Sequence, residues 1–356
     1  MSAMSTTPGL KAALKRGALL AAANWPLVIV QFVAESSLKL LLAVPIVGGA
    51  FLVVLLLDTS LTDLLSGDVR DILTTIISAL TASPAALMAF GSAAMIVLVG
   101  GSMITFVVKG GTVALLAHAE RIAGPIEKPP LRLDPLRRAS VVGIDAFLDG
   151  CARLSWRYIR IGLGLLIIYA VTLGVCAAFV LAGYGLAASP GLMLGWTVLA
   201  ALGSSALLVW LTLVNFFYLM TQMVVAIEDV SVRTGAVLAL RFVWGHLREV
   251  AAVLGVVLVM VVIATAASIL ATAGLGLIAF VPLIGLAVLL PLQLAAWLLR
   301  GIVFEYLALA ALGAYLSHYR WYQRAAQMPP VILPKEPGNR LARPITISFC
   351  RARPSR

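Results

Sequence analysis

Six stretches of this chain hold almost nothing that water would solvate. Runs at residues 38–57, 85–108, 161–187, 193–226, 250–280 and 284–317 are mainly apolar, the first reading "LLLAVPIVGGAFLVVLLL" over 40–57. About 20 such residues cross roughly 30 Å of hydrocarbon as a helix, and a helix satisfies its own backbone hydrogen bonds in lipid. The expectation is an all-α integral membrane protein with six transmembrane helices. The totals agree, since 62% of the 356 residues are hydrophobic and 12% charged, outside the usage of water-soluble domains. The longer runs exceed the thickness of a bilayer, so their helices tilt, kink or project. Pro45, Pro282 and Pro291 are natural places for a break.

Lys and Arg gather in the cytoplasmic loops of membrane proteins. Residues 58–84 carry Asp58, Asp63, Asp68 and Asp71 against Arg70 alone, and the turns near 188–192 and 281–283 carry no charge, so these connections face outward. Basic residues fill Lys11 to Arg16, Arg121 to Arg160, Arg233 to Arg248 and the chain from Arg320 onward, so both termini are cytoplasmic. The net charge of +11 lies between apolar runs and in the tail, which favours anionic lipid headgroups as partners, not nucleic acid. Three widely spaced cysteines indicate neither a disulfide framework nor a thiolate metal site. No phosphate loop, nucleophile elbow or His-Glu-x2-His occurs. The chain therefore reads as non-enzymatic, without catalytic residues, metal or cofactor.

Amphipathic interfacial helices are expected near 61–80, 138–156 and 231–246. Between the second and third spans, "GPIEKPPLRLDPL" at 124–136 reads as a proline-stiffened linker. The membrane domain covers 1–325. Residues 326–356 form a basic, proline-containing tail without apolar periodicity, expected to be disordered and drawn to anionic lipid.

Shifting the chain by 88 positions superimposes Arg153, Trp156 and Arg160 on Arg241, Trp244 and Arg248. This gives an internal repeat of one amphipathic helix followed by two spans, with a fainter third copy at Lys15, Arg16 and Trp25. On a helix, Arg153, Trp156, Arg157 and Arg160 fall within about 100° of one another. Guanidinium groups suit phosphate and Trp suits the carbonyl layer of a membrane, so these residues are candidate lipid-headgroup contacts. The simpler reading is that they anchor an interfacial helix, some arginines pairing with Asp145, Asp149, Glu228 or Asp229. Residues 224–258, "VVAIEDVSVRTGAVLALRFVWGHLREVAAVLGVVL", and 109–124, "KGGTVALLAHAERIAG", resemble a bacterial family of polytopic proteins related to the membrane domain of glycerophosphoryl diester phosphodiesterase. The matching positions are Glu228, Asp229, Ser231, Val232, Arg241 and Trp244, with Gly110 and Gly111. The resemblance implies a six-helix fold in the bacterial inner membrane. It implies no activity, because the phosphodiesterase keeps its catalysis in a soluble barrel that this chain lacks.

Arg300 and Glu305 stand near the middle of the last apolar run. A charge there costs about 3 kcal/mol on insertion scales, so each must face the bundle, a partner or water. Five positions apart, they point about 140° away from each other and reach different neighbours, with Lys109, Asn215 and Gln222 as candidate partners. Glu35 and Lys39 stand in the favourable i,i+4 order and read as an interfacial pair. His118, His246 and His318 read as three independent surface histidines. Two functions stay open: a protein that organises or assists a membrane partner or lipid-associated process, and a transporter or channel for a small solute or lipid using Arg300 and Glu305. An enzyme acting on lipid comes third. A continuous polar cavity at Arg300 and Glu305 would favour transport, and sealed side chains there would favour assembly.

Overall fold

A computed structural model describes residues 9–57, 83–128, 133–141, 143–186, 190–278 and 285–327. Among these residues the chain is all-helical, without strands. The elements are α1 Leu10–Ala23, α2 Trp25–Leu57, α3 Pro84–Ile122, α4 Leu133–Ala139, α5 Ile144–Leu186, α6 Pro190–Glu228, α7 Val232–Gly245, α8 Leu247–Ile278 and α9 Gly285–Gln327. Six contain a segment long and apolar enough to cross a membrane: Trp25–Pro45, Met88–Ile122, Ile144–Gly183, Gly191–Glu228, Leu247–Leu275 and Pro291–Arg324. The expected interfacial helix at 61–80, Pro282 and nearly all of the tail lie outside the described residues.

Three expectations need correction. The first membrane helix begins at Trp25, 13 residues before the expected start at 38. The polar residues that hid its beginning face inward, with Gln31 and Ser36 buried. The helix expected over 138–156 is interrupted: α4 ends at Ala139, and α5 starts at Ile144 and runs without a break into the membrane segment. Helices α2 and α9 also continue through Pro45 and Pro291. The two copies of the basic-aromatic spacing thus sit differently. Arg153 to Arg160 lie inside one continuous helix, whereas Arg241 and Trp244 belong to α7 and Arg248 to α8, across a break at His246. Ser231 caps α7, its hydroxyl accepting the Thr234 amide at 3.4 Å.

Helix α3 packs between α2 and α5, α6 touches α3, α5 and α9, and α9 closes back on α2 with α8 along its flank. Lipid gives no hydrophobic reward for bringing helices together, so close packing and polar bonds must do so. Both are concentrated at the end where the basic residues lie. Gly17 of α1 meets α9 so closely that a Cβ would sit 2.2 Å from the Ala310 carbonyl oxygen. A Cβ on Gly111 of α3 would sit 2.4 Å from Cys151 Sγ of α5. The side chains of Leu20, Leu116, Tyr158, Met220, Phe242 and Tyr315 are fully enclosed here.

Charge stitches the same end. Glu120, 4% exposed, receives Arg16 Nε at 2.9 Å and Arg320 Nη1 at 3.3 Å, joining α3 to α1 and α9. Arg16 also pairs with Glu127 at 2.8 Å. Burial opposes the Arg16 charge, but hydrogen bonds and attraction from Glu120 and Glu127 outweigh it and hold its pKa above the ordinary arginine value. Between α1 and α2, buried Asn24 donates to the Leu20 and Ala139 carbonyls, both at 2.9 Å, and accepts the Val141 amide at 3.0 Å. That side chain fixes both the corner and the segment after α4.

Candidate functional site

Polar side chains from four helices converge where α2, α3, α6 and α9 meet. A cavity of about 370 Å³ is lined by Gln31 and Glu35 of α2, Lys109 of α3, Asn215, Tyr218 and Gln222 of α6, and Glu305 of α9. Lys109, Asn215, Gln222 and Glu305, four of the five candidates for an intramembrane polar site, therefore share one chamber, and Arg300 does not line it. The expected Glu35–Lys39 pair is replaced by a longer-range one: Lys109 Nζ binds Glu35 Oε1 at 2.9 Å. Gln31 Nε2 donates to the same oxygen at 3.3 Å. The Glu305 carboxyl lines the same cavity, near enough to Glu35 for the two charges to repel. One ammonium thus faces two carboxyls in a region that solvates charge poorly, an arrangement that calls for water, a proton or a ligand.

The chamber also holds spare hydrogen-bonding capacity. The Tyr218 hydroxyl lies beside the Gln222 amide, yet both Tyr218 Oη and Gln222 Nε2 are buried without a hydrogen bond of ordinary geometry. The Gln222 backbone carbonyl is occupied, accepting Tyr158 Oη at 2.8 Å. Asn215 is committed too, accepting Tyr169 Oη at 2.6 Å and donating to Leu211 O at 2.9 Å. The Gln222 amide and the Tyr218 hydroxyl therefore face each other without a hydrogen bond of ordinary geometry to any described residue.

A second cavity, of about 450 Å³, adjoins the first through Glu35, Phe304 and Glu305, which line both. Its further lining includes Ser36, Lys39, Thr265, Trp297 and Arg300. Lys39, Trp297 and Arg300 are exposed, and the Arg300 guanidinium lies 5.7 Å from the centre of the Phe304 ring. Arg300 and Glu305 accordingly both border the second cavity, and Glu305 alone of the two reaches the first. Along the two cavities the charges alternate, from Lys39 and Arg300 to Glu35 and Glu305 to Lys109. Glu35 was not singled out as a site in the sequence because Lys39 supplied a sufficient local partner.

The basic-aromatic residues lie elsewhere. Arg153, Trp156 and Arg160 are exposed on α5, with the Arg160 guanidinium 4.8 Å from the Trp156 ring centre. Arg157 turns away to an ion pair with Asp229, at the α6–α7 connection where the backbone takes φ +53°. Arg241, Trp244 and Arg248 are exposed, and neither arginine forms an ion pair among the described residues. The histidines depart from expectation. His118 is exposed, but His318 is buried, and His246 stacks on Phe242 at 5.6 Å and meets Trp321 edge-on. Among the described residues no group of three or more His, Cys, Asp and Glu side chains could hold a metal ion.

No family model, curated protein or solved structure matches the chain. The resemblance to the phosphodiesterase membrane domain thus gains no support beyond the quoted stretches.

Proposed function

We propose that this chain is a multi-pass protein of the bacterial cytoplasmic membrane, with both termini in the cytoplasm, that carries a small polar solute through the track between Arg300 and Gln222. The observation that carries the reading is that two cavities adjoin, with Glu35, Phe304 and Glu305 lining both. A buried structural cluster would satisfy its own members. Here the inner cavity sets one ammonium against two carboxyls, and the Tyr218 hydroxyl and Gln222 amide form no hydrogen bond of ordinary geometry, leaving bonds for a solute to complete. No step in this reading makes or breaks a covalent bond, so the protein acts as a non-enzyme.

Ala308 lines the inner cavity and offers a direct test. In a chain whose Cys151, Cys176 and Cys350 are replaced by Ala, Ala308→Cys is expected to react with a charged, membrane-impermeant thiol reagent. Glu305→Gln should change that rate by at least tenfold. An unreactive position 308 from both sides of the membrane would mean a sealed cavity and end the proposal.

A second reading has its own observation. The exposed faces at Arg153, Trp156 and Arg160 and at Arg241, Trp244 and Arg248 support contact with anionic lipid headgroups or a membrane partner that the protein organises. The repeated spacing then serves two anchors of different backbone, and the resemblance to the phosphodiesterase membrane domain belongs to this reading.

A further inference from the structure

A separate polar cavity, of about 380 Å³, opens at the basic end of the bundle between α1, the end of α3, the loop at 123–128 and the end of α9. Five cations line it, Arg16, Arg121, Lys128, Arg320 and Arg324, against two carboxylates, Glu120 and Glu127. Both carboxylates are occupied. Glu120 holds Arg16 and Arg320, and Glu127 holds Arg16 again. Arg121, Lys128 and Arg324 are exposed and form no ion pair among the described residues. The guanidinium groups of Arg16, Arg121 and Arg324 lie close enough to Arg320 to repel it. Gathering like charges costs free energy that a bound anion would return.

Two free guanidinium forks and an ammonium make a donor set for a group with several acceptor oxygens around one centre. Arginine forks match phosphate oxygens in pairs, and lysine adds a compact charge. No residue here acts as a nucleophile toward the group, so the fit is for holding it.

We infer that this cavity binds a phosphate-bearing anion, either the headgroup of an anionic lipid or a free phosphate group. The inference stands apart from the solute track, because the two sites share no lining residue.

The test uses the full chain in neutral detergent micelles, with thermal unfolding followed at constant ionic strength. Inorganic phosphate is titrated in one arm; the other compares micelles doped with phosphatidylglycerol or phosphatidylcholine. A saturable rise in unfolding temperature with inorganic phosphate identifies a free phosphate group as ligand. A rise confined to phosphatidylglycerol identifies a lipid headgroup. In either case Arg121→Gln with Arg324→Gln should raise the midpoint concentration at least tenfold. Arg137→Gln with Arg138→Gln removes the same charge from α4 and should leave the midpoint unchanged. If the first pair fails to fold, Lys128→Gln should raise the midpoint about threefold. No rise with either probe, or equal midpoints in the variants at the cavity and on α4, overturns the inference.

Discussion

The two ends of this helical bundle are held by different means. At the basic end, glycines bring backbones together, Asn24 closes a corner, and Glu120 gathers two arginines, so helices far apart in sequence are locked. In the far halves the same helices turn apolar side chains outward: Leu173 is 71% exposed, Leu202 64% and Leu270 73%. The contacts there are fewer, as where Trp196 of α6 meets Phe179 and Gly183 of α5 and the Trp210 indole donates to Thr172 Oγ1 at 3.1 Å. Lipid tails satisfy a leucine as well as a neighbouring leucine does. Helices with nothing but leucine to offer therefore have little reason to press together, and polar groups and close backbones decide where the bundle is tight. The Glu35–Lys109–Glu305 chamber lies beside the tight end, and a second cavity lined by exposed Lys39 and Arg300 adjoins it.

The largest effect expected from that difference is at Glu120. Replacing it with Ala leaves Arg320, itself 7% exposed, with its charge buried and its carboxylate partner gone. Arg16 keeps Glu127. Removing one member of a buried ion pair costs about 3–5 kcal/mol, and unfolding in graded sodium dodecyl sulfate should read a loss of that size. A loss below 1 kcal/mol would mean that the two ends are equally held and the comparison is wrong.

The next effect tests packing without charge. Gly17→Leu places a side chain where the Ala310 carbonyl and the Ala314 amide of α9 already stand. Overpacking against backbone costs about 3 kcal/mol at the upper end of its range, and the same titration should detect it. Because α1 and α9 are the pair forced apart, a cysteine at Ala13, buried in the folded chain, should become reactive in the Gly17→Leu background. An unchanged rate would show that α1 is held by its charges alone.

How much of this was legible in the sequence depends on distance along the chain. The membrane segments were readable because lipid allows few backbone solutions, and Lys109, Asn215, Gln222 and Glu305 stood out because polarity inside an apolar run needs a reason. Glu35 was misread through the i,i+4 rule: a local partner at Lys39 masked the real one, 74 positions away at Lys109. The Arg16–Glu120–Arg320 cluster left no trace, since each member stands outside the apolar runs, where a charge is ordinary. Only tertiary contact, across 104 and 200 positions, makes them a unit. The repeat shows the opposite limit. Identical spacing at Arg153 and Arg241 yields a continuous helix once and a break at His246 once, because a three-residue pattern carries no instruction for the backbone beside it.

The smallest effect sharpens the comparison from the far side. Leu202→Ala and Leu270→Ala remove large side chains that no described helix covers. If lipid is their only neighbour, the folded and unfolded states in a membrane lose the same contacts. The stability change should then stay within about 0.5 kcal/mol, as for other uncovered positions. Measured in the same sodium dodecyl sulfate titration, that near-silence contrasts with the loss at Glu120. A cost above 1 kcal/mol at either leucine would show that its face is covered in the working protein, by another chain or a second copy. Only then would the far half also count as a packed interface.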